Sequence, residues 1–188
     1  MNLDVQILKW CNTVAVSPWA DKSMRFLTDQ SNTWPFILLA FIWLIWKGGK
    51  TGRRVAIMLP LCVIITDQIS AHLLKDLIGR PRPCCQQDLY PWIRLIDGCR
   101  ESHGMPSSHA TNMFGVATLF TIYYRKWWPV FFFIAAIISY TRIYLGLHFP
   151  SDVLAGAILG SLMVLGFDAI WRAIAAKRQS RNAEGAKQ

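Results

Sequence analysis

Charge is scarce in this chain of 188 residues: Asp, Glu, Lys and Arg make up 16% of it, well below the roughly 25% of ordinary soluble domains. Acidic residues are scarcer still, 11 against 20 Lys plus Arg, a formal balance of +9. In a soluble chain that excess would suggest nucleic acid. Here 53% of the residues are hydrophobic and nine are Trp, so the expected partner is the lipid bilayer and no nucleic acid. Also missing is any clean apolar run of the roughly 20 residues that a membrane-crossing helix uses. No apolar core of signal-peptide character opens the chain, no repeat or low-complexity run interrupts it, and no Cys and His spacing suits zinc.

What is there is a set of five uncharged apolar stretches, at residues 30–46, 55–66, 110–124, 127–141 and 153–167. A stretch of about 15 residues spans only about 22 Å at a rise of 1.5 Å per residue, against about 30 Å of hydrocarbon. Singly, each would pass for a buried core helix. Five together are too many to bury in so small a soluble protein, and each gains a turn or more if polar residues at one end join the helix. The expected fold is therefore all-α, a polytopic membrane helical bundle of five spanning helices. Residues 1–188 read as one integral membrane domain, with 30–171 as the bundle and 172–188 as a basic, solvated tail. Residues 1–29 alternate apolar Leu3, Val5, Ile7, Leu8 and Trp10 with Lys9, Asp21, Lys22 and Arg25. They are expected to form short interfacial helices, a sixth crossing being the alternative.

Positive residues mark the cytoplasmic side of short loops. Lys47, Lys50, Arg53 and Arg54 fall between the first two stretches, Arg125 and Lys126 between the third and fourth, and Arg172, Lys177, Arg178, Arg181 and Lys187 after the fifth. These alternate loops would face the cytoplasm. The long segment 79–105 then lies on the opposite face and holds Cys84, Cys85 and Cys99. In an oxidising compartment one disulfide is expected there, Cys99 with either Cys84 or Cys85. Arg94, Arg100, Glu101 and His103 in the same segment are candidates for selecting a headgroup, with plain solvation as the alternative.

Three polar segments sit at the non-cytoplasmic helix ends. The first runs from Lys75 through Arg82 and Pro83. Gln68, His72 and Lys75 fall at i, i+4 and i+7, which predicts one polar stripe turned inward. The second is Pro106-Ser107-Ser108-His109, where hydroxyls and unsatisfied amides at a helix N-terminus can receive an anion; a plain N-cap is the alternative for Ser107. The third runs from Thr141 and Arg142 to His148 and Asp152. Ionisable groups so close to two hydrophobic spans are costly unless they serve one another. Asp152 can hold one imidazole nitrogen of His148 and leave the other to attack, or cap the last helix, or do both.

Lys75-x6-Arg82-Pro83, Pro106-Ser-Ser-His109 and Arg142-x5-His148-x3-Asp152 together resemble the three-part signature of the type 2 phosphatidic acid phosphatases. The family's second motif usually has Gly where Ser108 stands, and its third opens with Ser where Thr141 stands. The resemblance implies a lipid phosphatase in which His148 attacks phosphorus, Asp152 orients it and His109 protonates the leaving oxygen. Lys75, Arg82, Ser107, Ser108 and Arg142 would hold the phosphoryl oxygens, with no metal and no other cofactor; no carboxylate cluster lies near the motifs to bind magnesium. It further implies a bacterial inner membrane protein with its site facing outward. By likeness to undecaprenyl pyrophosphate phosphatases, the expected reaction is undecaprenyl pyrophosphate to undecaprenyl phosphate. Lipid A 1-phosphate, phosphatidylglycerol phosphate and phosphatidic acid are alternative substrates. A non-catalytic lipid-binding scaffold or translocator is the alternative of another class.

Overall fold

The computed structural model describes residues 2–99 and 102–185, and among them the regular structure is helical apart from one isolated antiparallel bridge, Pro81 to His103. Seven helices follow in order. They are α1 (Leu3–Lys9, carried on by a π turn at Trp10–Val14), α2 (Pro18–Thr28), α3 (Gln30–Trp46), α4 (Gly49–Ile78), α5 (Ser108–Tyr123), α6 (Trp128–Tyr144) and α7 (Pro150–Gly185). Ser17 starts α2 by accepting the Ala20 amide at 3.1 Å, with Pro18 in the first turn. Asp29 starts α3 by accepting both the amide and the hydroxyl of Ser31. Both are ordinary N-caps.

Among the described residues, three helical stretches are long and apolar enough to cross a membrane: Gly49–Ile78, Arg125–Tyr144 and Pro150–Ser180. The first and third reach that length by drawing polar flanks into the helix. The helices α3 and α5, with 17 and 16 residues, are about 25 Å long. At the N-terminus, α1 and α2 have 7 and 11 residues, so at 1.5 Å per residue neither alone reaches across about 30 Å of hydrocarbon. Of the basic and acidic residues noted in the long segment and tail, Arg100, Glu101 and Lys187 lie outside the described residues.

The central helix is α5, packed against α4, α6 and α7. Toward one end Leu44, Val55, Met58, Cys62, Leu119 and Val164 close a core; toward the other Leu8, Cys11, Ile93, Ile143 and Phe149 close a second. Outward faces stay apolar, as with Phe36, Ile37, Leu38 and Leu39 on α3 and Leu154, Ile158, Leu162 and Leu165 on α7. Such continuous apolar surface is a liability in water and merely a wall in lipid.

Small residues set the closest approach. A methyl group at Gly160 of α7 would overlap the Thr111 carbonyl of α5, and one at Gly156 would lie 2.6 Å from the Ser107 carbonyl oxygen. Because the obstacle is backbone, no rotamer relieves it. Gly160→Ala is expected to lower stability in detergent by about 1–3 kcal/mol, read as a lower thermal unfolding midpoint; an unchanged midpoint would mean that the two helices have slack.

One expectation about α4 is corrected. Gln68 and His72 are exposed, whereas Lys75 is buried. The reason is a π turn over Ile69–Leu74, which spends an extra residue per turn. The inward row is Met58, Cys62, Thr66, Ser70 and Lys75, with a five-residue step at the end where an unbroken α-helix would give three or four.

The long segment and the N-terminal helices lock onto the end of α6. Asn12 donates to the Tyr144 carbonyl at 2.7 Å and accepts the Arg94 amide at 2.7 Å. Asp21 receives the Tyr144 hydroxyl and an Arg94 guanidinium nitrogen, each at 2.5 Å. Arg94 is thus tied to Asp21 and to the Asn12 carbonyl, with its side chain still partly exposed.

Candidate active site

Helix ends from α4, α5 and α7 and the turn after α6 meet at one end of the bundle. The turn is built by its own backbone. The amides of Leu147 and His148 both donate to the Arg142 carbonyl, at 3.0 and 3.2 Å. Gly146 takes φ 71, and a Cβ there would press to 3.0 Å on Ile93, so the turn requires glycine. This folds the chain back and places His148 over the start of α7.

His148 is 1% exposed and Asp152 is fully buried. The imidazole Nδ1 faces Asp152 Oδ2 at 3.5 Å, which leaves Nε2 as the other ring nitrogen. The same carboxylate oxygen accepts the Phe149 amide at 2.9 Å, so Asp152 both caps α7 and faces His148, as a capping-box acid does at the third helical position. Burial, offset in part by Asp152 and reinforced by Arg82 and Arg142, pushes the His148 imidazole down to about 4. It is neutral at pH 7.

Ser107 opens α5. Its side chain makes no cap; its amide donates to the Asp152 carbonyl at 3.0 Å, tying α5 to α7. The hydroxyls of Ser107 and Ser108 are buried and make no hydrogen bond among the described residues. Buried hydroxyls are rarely left so. His109 follows within the first turn, in electrostatic reach of Arg142, His148, Lys75 and Arg82. Lys75 and Arg82 are 8% and 7% exposed. They also form part of the wall of a cavity of about 430 Å³, together with Asp76, Ser102 and His103. Arg142 donates Nη1 to Thr28 Oγ1 at 2.5 Å, and the Thr141 hydroxyl, which donates to the Ile138 carbonyl at 2.6 Å, lies 3.2 Å from the same oxygen. The hydroxyl at position 141 therefore builds the shelf beneath Arg142. All eight residues singled out by the motifs lie in this one region.

Three features were not singled out in the sequence. Arg80 donates to Asp152 Oδ1 at 2.7 Å, and Asp4 of α1 accepts from Arg80 at 2.8 Å. Thr28, at the end of α2, receives Arg142. Arg80 stands inside the Lys75 to Pro83 segment, where its place between Gly79 and Pro81 was the available signal. Asp4 and Thr28 carry none, because their partners Arg80 and Arg142 lie 76 and 114 residues away along the chain.

The disulfide joins Cys84 to Cys99, with Cα atoms 5.6 Å apart. Cys84 is buried among Tyr144, Leu145 and Leu147, while Cys85 is exposed at the cavity. Those three cysteines are the one group of suitable donors close enough for a metal among the described residues, and the disulfide removes two of them as ligands. The carboxylate of the site, Asp152, is already held by Arg80 and the Phe149 amide.

Residues 55–178, a span holding every one of the motif residues, match the PAP2 superfamily. The lipid A 4'-phosphatase of Bacteroides thetaiotaomicron is 32% identical over 165 residues, covering 85% of this chain and 72% of that protein. A putative undecaprenyl-diphosphatase of Escherichia coli, YbjG, is 25% identical over 182 residues, covering 96% and 88%. The crystal structure of a transmembrane PAP2-type phosphatidylglycerolphosphate phosphatase from Bacillus subtilis shares the fold with a TM-score of 0.61 at 23% identity, over 88% of this chain and 84% of that one. Motif spacing, helical plan and overall likeness thus agree, and the chain belongs to the PAP2 superfamily as a multi-pass membrane phosphatase of lipid phosphates.

Proposed function

We propose that this phosphatase works without metal through a phosphohistidine at His148, and that its substrate is undecaprenyl diphosphate, cleaved to undecaprenyl phosphate. The observation that carries the mechanism is a buried imidazole backed by a buried carboxylate and ringed by cations. His148 Nε2 attacks phosphorus, and Asp152 stabilises the imidazolium that forms. His109 gives a proton to the departing oxygen, and water later hydrolyses the intermediate. Lys75, Arg82 and Arg142, with Ser107 and the Ser108 amide, take up the phosphoryl charge, which is the main demand of phosphoryl transfer. In this reading the chain crosses five times, α3 and α5 being the short crossings, and the distribution of basic loops supports a site on the outer face of a bacterial inner membrane. Residues 1–188 then act as one domain.

The diphosphate is favoured by the cavity that Lys75 and Arg82 share with the site, since it offers the same two cations to a second phosphate beyond the transferred one. A phosphate on a lipid A sugar is the second reading, favoured by the 32% identity to a lipid A 4'-phosphatase. The test is phosphate release from purified undecaprenyl diphosphate, lipid A, phosphatidylglycerol phosphate and phosphatidic acid at equal mole fraction in detergent, with and without EDTA. The highest kcat/KM is expected on undecaprenyl diphosphate, unchanged by chelator. Higher values on lipid A would establish the second reading. Loss with EDTA that magnesium restores would overturn the mechanism, and binding without release from any lipid would favour a scaffold.

A further inference from the structure

Asp152 has two carboxylate oxygens, and they are used differently. Oδ2 accepts the Phe149 amide and faces His148 Nδ1, whereas Oδ1 accepts Arg80 Nη1 at 2.7 Å. A carboxylate torsion is broad and nearly two-fold, so an acid held by one oxygen alone can swing. Held by both, it is fixed in the plane that presents Oδ2 to the imidazole.

Arg80 is itself held from three sides. Nη1 also donates to Ser151 Oγ at 2.6 Å, Nη2 donates to Asp4 Oδ2 at 2.8 Å, and the guanidinium carbon lies 4.2 Å from the centre of the Phe149 ring. Asp4 belongs to α1, yet its Oδ1 accepts the Ser151 amide at 2.8 Å and its Oδ2 the Ser151 hydroxyl at 2.5 Å. It thus caps the first turn of a helix that begins about 150 residues later, where a carboxylate also suits the helix dipole. Although burial works the other way, the Ser151 and Arg80 hydrogen bonds hold Asp4 below the usual carboxylate range, so it stays charged through the working pH range. Asp4, Arg80 and Asp152 alternate in sign and end at His148.

We infer that Arg80 and Asp4 are positioning residues of the phosphatase: Arg80 aligns Asp152 on His148, and Asp4, supplied by the N-terminal helix, locks Arg80 and the start of α7 in place. The inference rests on the roles proposed above for His148 and Asp152. It makes α1 part of the active site through the contacts of Asp4 with Arg80 and Ser151. It also predicts an electrostatic signature. His148 faces Asp152, Arg82 and Arg142, with His109 across from it and Lys75 acting on both His109 and Asp152. With those groups unchanged, loss of the Arg80 charge leaves Asp152 less neutralised and favours the protonated, non-nucleophilic imidazole.

The experiment compares kcat, KM and the pH profile of kcat/KM for the full-length wild type, Arg80→Gln, Arg80→Lys, Asp4→Asn and His148→Ala on one lipid phosphate in detergent. Arg80→Gln is expected to lose about 10- to 100-fold in kcat, the usual scale for an outer partner of a catalytic group. Its KM should be little changed, and the midpoint of the acid limb should move up by about one pH unit. Arg80→Lys keeps the charge, so its acid limb should stay at the wild-type position while kcat falls about ten-fold. Asp4→Asn should lower kcat several-fold, again without a change in KM. A scaffold role alone would lower the yield and unfolding midpoint of these variants but leave the acid limb of the surviving enzyme in place. Should Arg80→Gln fail to fold, wild-type kcat in both Arg80→Lys and Asp4→Asn overturns the inference. An inactive His148→Ala beside an unmoved Arg80→Gln profile refutes the positioning role alone, whereas an active His148→Ala refutes the catalytic reading beneath it.

Discussion

His148→Ala is expected to abolish hydrolysis of lipid phosphates, with kcat down by roughly 10⁴ or more, as befits loss of a nucleophile. The protein should still reach the membrane. The turn that carries His148 is made by backbone bonds to the Arg142 carbonyl and by Gly146, and none of these needs the imidazole. The decisive measurement is the trapped intermediate. Wild-type enzyme quenched during turnover of a radiolabelled lipid phosphate should hold label in a bond stable to base and labile to acid, the behaviour of phosphorus on nitrogen. The variant should hold none. Label of the same kind in His148→Ala would place the nucleophile elsewhere.

Arg142→Lys is expected to cost about 10² to 10³ in kcat, the scale of one lost charge-stabilising donor, with detergent stability unchanged. Nη1 donates to Thr28, and a guanidinium presents its five N–H groups in one fixed planar fork, a geometry that can serve a hydroxyl and a phosphoryl oxygen together. An ammonium is a single point with no such fork, so Lys must give up either the Thr28 contact or the phosphate geometry. Turnover close to wild type in a normally folded variant would remove Arg142 from the clamp.

What the sequence made legible was local. Apolar stretches told where helices lie, and motif spacing told which helix ends come together in one region, because both follow from neighbours along the chain. The polar stripe on α4 failed because periodicity assumes one helical pitch, and the π turn at Ile69–Leu74 changes pitch within the element. Arg80 and Asp4 were not assigned because their importance comes from a contact across 76 residues, and Asp4 meets Ser151 across 147. The choice of Cys84 over Cys85 depended on which side of the 3₁₀ turn at Pro83–Cys85 faces Tyr144 and Leu145. Adjacent residues in a sequence do not reveal that orientation.

The π turn also separates two requirements of α4 that an unbroken helix would bind together. The part before it keeps Met58, Cys62 and Thr66 against the bundle, and the part after it aims Lys75 inward. The surplus residue is a phase adjuster between them. Deleting one residue there would turn the Lys75 end by about 100° and swing its ammonium toward lipid, even with the membrane half of the helix still seated. Changes in the length of α4 are therefore compatible with catalysis only in steps that restore this phase, whatever thickness of bilayer the helix must match.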